Sequence, residues 1–160
     1  MTALASRPVR RAGLTALALA ALVLIGHGGA LSDGYFFDDH WHRVTLRSGG
    51  WGWSDLVEAA TFDLPGPLTN LWWQTEPLQW RYARPVAMLA MKVAHLAADS
   101  DPRLVHLAGL GWHWLASLLV ASLAAWMLAR HPTAGARAPA WALLAGGLFA
   151  LNPHAVFTVG

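Results

Sequence analysis

The sequence predicts an all-α fold: a polytopic bundle of transmembrane helices, about four apolar segments in all, with a large outer loop of short interfacial helices. Three observations carry this. Of 160 residues, 56% are hydrophobic and only 12% charged, where a soluble domain carries roughly a quarter charged. Apolar runs recur at 12–31, 104–129 and 138–160, with a shorter one at 86–98. Six of the ten tryptophans fall between 32 and 83, and tryptophan prefers the membrane–water interface. The formal charge of +2 comes from scattered basic residues, which does not suit a nucleic-acid partner. Cysteine is absent, so disulfides and thiolate metal sites are excluded.

Residues 1–11 form a basic leader with Arg7, Arg10 and Arg11. The run 12–31 has 20 residues, about enough to cross a hydrocarbon core of roughly 30 Å. An uncleaved span is expected there rather than a cleaved signal peptide, although 12–25 has the length of a signal core and Gly28-Gly29-Ala30 offers small residues for cleavage. The arginines hold the N-terminus in the cytoplasm by the positive-inside rule. That puts Ser32 onward on the outer face of an inner or plasma membrane.

The outer loop, 32–83, contains Asp33, Asp38, Asp39, Asp55, Glu58, Asp63 and Glu76 against Arg43, Arg47 and Arg81. Seven acids against three arginines leave a net charge of −4. Its tryptophans and the break at Pro65-Gly66-Pro67 suit short interfacial helices at 38–48 and 54–60. Arg84-Pro85 then opens a short apolar helix, 84–98, with proline where its missing N–H does no harm. Within it Met88, Met91, Lys92 and His95 make a stripe that lipid would not tolerate.

Asp99–Arg103 is a turn, and 104–129 is a span with His106, Gly109, His113 and Ser117 along one small, polar face. Residues 130–137 form a loop, and 138–160 is a further span interrupted at Asn152-Pro153-His154. If all four apolar segments cross, loop 130–137 lies outside despite Arg130 and Arg137; if 84–98 does not, it lies inside and the charge rule holds. The orientation beyond 98 stays open at this point.

The residues most suggestive of chemistry are Asp38-Asp39, in the stretch Y-F-F-D-D-H-W-H-R. The order of F-F-D-D, a Trp-rich loop, Y-A-R-P-V-A-M-L, H-L-A-G-L-G-W-H and L-F-A-L-N-P-H resembles the N-terminal region of GT-C membrane glycosyltransferases. Most specifically it is similar to the protein O-mannosyltransferase-like group that includes the transmembrane and tetratricopeptide-repeat mannosyltransferases. The likeness runs from about Leu31 to the end. Asp38-Asp39 match that family's acidic pair, Arg84-Pro85 its R-P, and His106 and His113 its paired histidines. Gly109 stands where the family usually has Asn, Asn152 replaces the first histidine of the last motif, His154 is displaced by one position, and Phe157 occupies the neighbourhood of a frequent Glu.

The resemblance implies transfer of a mannose-like sugar, with inversion, from a polyprenyl-phosphate donor to an unnamed acceptor at the outer face. Such a reaction needs a carboxylate to take the acceptor's proton, the expected role of Asp38 or Asp39. It also needs a cation to hold the departing phosphate, expected of Arg84 and Lys92. Side by side, Asp38 and Asp39 could also recruit a divalent ion, Mg or Mn. His106, His113 and His154 would line the cavity.

Plainer readings compete. An acidic pair can start a helix, Arg84 can anchor at the interface, and the histidines can bond helix to helix. The chain stops within an apolar segment at Phe157-Thr158-Val159-Gly160, so the expectation is an incomplete enzyme, inactive alone. The alternatives are a non-catalytic membrane fragment or partner subunit, or a haem or metal protein using His106, His113 and His95.

Overall fold

The structure is a computed structural model and describes residues 6–35, 38–64, 78–82, 84–99, 101–131 and 135–153. It is predominantly helical: α1 (Ser6–His27), α2 (Asp38–Ser48), α3 (Trp53–Glu58), α4 (Pro85–Ala97), α5 (Pro102–Leu128) and α6 (Ala138–Ala150). A 3₁₀ turn, Gly28–Ser32, continues α1. One departure from the all-α expectation is a short antiparallel pair, β1 (Thr61–Leu64) with β2 (Leu78–Arg81), in register Phe62 to Trp80. The Tyr82 N–H extends the pairing to the Ala60 carbonyl. An aromatic residue is at home on a pleated surface where its ring finds cover, and the Phe62 ring lies 5.9 Å from Trp41, 5.5 Å from His42 and 6.1 Å from Tyr82.

Two helices are long and apolar enough to cross a membrane, Arg10–Ser32 and Pro102–Leu128. Their apolar side chains point mostly outward: Leu17 is 69% exposed, Ile25 79% and Leu119 70%. Helix α4 has 13 residues, about 20 Å at 1.5 Å per residue, short of the roughly 30 Å of a hydrocarbon core.

The backbone divides into two compact units, 34–105 and 1–33 with 106–160. In the second, α1, α5 and α6 share a core of Leu19, Val23, Leu110, Ala121 and Ala150. Close approach depends on small residues, as in helix pairs within membranes. A Cβ on Gly146 would lie 2.8 Å from the Ala121 Cβ and 3.0 Å from the Ser117 carbonyl oxygen. Trp114 Nε1 donates to the Ala16 carbonyl (2.9 Å), and Ser117 Oγ donates back to the His113 carbonyl (2.8 Å).

Within 34–105, α4 packs Met88 with Leu46, Leu56, Ala59 and Ala60. The stripe that lipid would not tolerate faces inward: Met88, Lys92 and His95 are buried. Lys92 is 1% exposed. Its Nζ donates to the carbonyls of Leu46 (2.5 Å) and Gly49 (2.7 Å) and lies 4.9 Å from the Trp51 ring centre. Leu46 lies in the last turn of α2 and Gly49 just beyond it, where helix oxygens lack backbone donors and the dipole favours a cation. In the turn beyond, a Cβ at Gly50 would displace the Asp55 carboxylate, which accepts from the Gly52 N–H and starts α3.

Lys92→Met keeps most of the stem's volume and removes the ammonium. It should destabilise the 34–105 unit by roughly 3 kcal/mol, the scale of losing charged hydrogen bonds to buried carbonyls, read as a lower midpoint for protease cleavage in detergent. Gly146→Val should loosen α1, α5 and α6 by roughly 1–3 kcal/mol through overpacking, read by thermal unfolding, while leaving the protease pattern of 34–105 unchanged.

Candidate functional site

The acidic pair opens α2. Free amides at a helix start favour anions, so this placement stabilises the carboxylates whatever else they do. From Asp39 the helical repeat leads to His42, Arg43 and Leu46, of which His42 and Leu46 are buried. That side meets α4, and the Asp39 charge acts on His95. Position 38 starts a different face, continuing through Trp41 and Thr45. The two acids are therefore not equivalent: Asp39 turns toward the packed interior of its unit.

Tyr35 closes this end of the unit. Its ring centre lies 5.8 Å from His40 and 5.7 Å from His95, and the Arg43 guanidinium sits 5.6 Å from it. His95 is 1% exposed, and its Nδ1 has no hydrogen-bond partner among the described residues. Burial pushes His95 below its usual 6.5; the Asp39 carboxylate pulls the other way, while His42, Arg43 and Arg47 add to the depression.

The expected site residues divide between the units. Of the acidic pair, the side chain of Asp38 lies outside the described residues, and Asp39 is partly buried. Arg84 precedes α4, is exposed, and holds its guanidinium 4.7 Å from the Tyr82 ring centre. It is open to an anion. Lys92 is not: its ammonium is enclosed and turned onto backbone carbonyls, so the expected phosphate role is corrected to that of a helix-end staple.

His106 and His113 belong to the other unit and are buried. His113 Nε2 bonds to the Ala150 carbonyl (3.1 Å), with its ring stacked 5.4 Å from Phe149. It packs where α5 meets the end of α6. His154 lies outside the described residues. Among the described residues no three His, Cys, Asp or Glu side chains gather to hold a metal ion.

Sequence reasoning passed over Tyr35 as a site residue, and His27 altogether. His27 Nε2 bonds to the same Ala150 carbonyl (3.0 Å), and its ring meets His113 edge-on at 5.2 Å. The only signal was an imidazole at the end of an apolar run, which marks a buried polar partner without naming it.

The His95 shift fixes a pH dependence. An unfolded chain takes up this proton near pH 6.5 and the folded chain does so only lower, so stability is full above that value and falls as the medium acidifies below it. Protease protection of 34–105 should therefore weaken between about pH 6.5 and pH 5, and His95→Gln should flatten that slope. An unchanged slope in the variant would assign the effect to another group.

Comparison with protein-family models, with curated proteins and with solved structures finds no match to this chain.

Proposed function

We propose that this chain is a module of a membrane glycosyltransferase, moving a mannose-like sugar from a polyprenyl-phosphate donor to an acceptor at the outer membrane face. The observation that carries this reading is the position of the acids. Asp38-Asp39 open α2 six residues beyond Ser32, where the first membrane-length apolar helix ends. A carboxylate so few residues from the end of a span would meet both a lipid-borne donor and a water-borne acceptor.

In this reading Asp38 takes the proton of the acceptor hydroxyl as it attacks the sugar's anomeric carbon, and the phosphate leaves with the bonding electrons. Asp39, whose charge acts on His95, supports Asp38 from the same helix start. Arg84, exposed beside Tyr82, meets the departing phosphate, whose charge grows as the bond breaks. The N-terminus is cytoplasmic and the loop 32–83 external, following Arg7, Arg10 and Arg11.

Two measurements test this. A reporter fused after Arg11 should be cytoplasmic and one inserted at Gly66 external; a cytoplasmic Gly66 removes the outer-face site. In membranes holding a complete protein with this module, Asp38→Asn should lower sugar transfer by roughly two to four orders of magnitude and Asp39→Asn by less. Near-normal transfer in both variants would reduce the acids to a helix start.

A further inference from the structure

A second feature of the 34–105 unit stands apart from the acidic pair. One face of α2, the length of α3 and the end of β2 enclose an open cleft of about 800 Å³, lined among others by Trp41, Trp53, Asp55, Glu58, Gln79 and Arg81. Trp41 is 45% exposed and Trp53 67%. Trp41 is held from behind by the Phe62 ring at 5.9 Å, and Arg81 Nη2 is held by Gln79 Oε1 at 2.6 Å.

We propose that this cleft binds a saccharide. Indole faces carry the negative side of the ring quadrupole and suit the weakly positive C–H face of a pyranose. Carboxylates and a guanidinium a few residues away make charge-assisted hydrogen bonds to hydroxyl groups. The volume lies within the 300–1,000 Å³ usual for small-ligand sites. Lipid is the poorer occupant. Acyl chains offer Asp55, Glu58 and Arg81 nothing, a carboxylate drawn into the bilayer is costly, and two carboxylates against one guanidinium repel an anionic headgroup. A neutral polyhydroxylated ligand satisfies both halves of the lining.

The cleft rests on the sugar-transfer reading for its biological role, and α2 links the two, since Trp41 follows Asp38 by one helical turn. Binding is nonetheless measured without turnover, so its failure would leave the Asp38 experiment standing. The full chain in nanodiscs is titrated with mannotriose, cellotriose and chitotriose by saturation-transfer NMR. At least one should bind, with transfer strongest to ring C–H protons. Trp53→Ala should weaken it by about tenfold or more, as for a large aromatic anchor, and Glu58→Gln by less. Trp112→Ala, an exposed tryptophan on α5, should leave it unchanged. No binding of any of the three, or equal binding by Trp53→Ala, overturns the proposal. So does a Trp53 that resists N-bromosuccinimide in nanodiscs without saccharide yet reacts in detergent, which would assign the indole to the membrane interface.

Discussion

The 34–105 unit depends on where one ammonium goes. Lys92 lies on an otherwise apolar stripe of α4, and taking its charge out of water is expensive unless every donor finds an acceptor. The carbonyls of Leu46 and Gly49 supply that compensation and are themselves the unbonded oxygens of a helix end. Each side of the contact removes the other's penalty. The bond also sets how far α2 runs, because the chain must turn after Ser48 for Gly49 to present its oxygen. From that turn follow Trp51 over the ammonium and Gly52 beneath the Asp55 carboxylate, and hence the start of α3.

The other unit reaches a similar solution with imidazole side chains. Helix α6 ends at Ala150, two residues before Asn152-Pro153, and its carbonyl accepts from both His27 and His113. A carbonyl oxygen has two lone pairs, so the two imidazoles saturate it while joining α1 and α5 to the end of α6. In each unit, a long-range side chain does what water does at the surface of a soluble protein.

Tryptophan and tyrosine have a divided role in the 34–105 unit. Trp51 covers Lys92, and Tyr35 stands between His40, His95 and Arg43. Trp41 and Trp53 leave much of their surface open. An interfacial preference is a general reason for such rings to be abundant beside membranes; within this unit Trp51 and Tyr35 also pack against the Lys92 ammonium and the His95 imidazole.

By itself the sequence determined what local periodicity and composition can reach. The apolar runs, the tryptophans of the 32–83 stretch and the position of Pro85 delimit the helices, so 38–48 and 84–98 could be read before any fold was known. The inward stripe on α4 was equally legible, since lipid rejects lysine and histidine. Partners were not. The sequence assigned Lys92 to a phosphate, His113 to a cavity and His27 to nothing, because a polar residue on an apolar helix announces only that it must be satisfied. Which acceptor satisfies it depends on residues 46 and 123 positions away, a distance that no local pattern spans. The β1–β2 pair escaped for the same reason: a strand is completed by a neighbour, and here Phe62 finds its neighbours in Trp41, His42 and Tyr82 only once the chain has turned back.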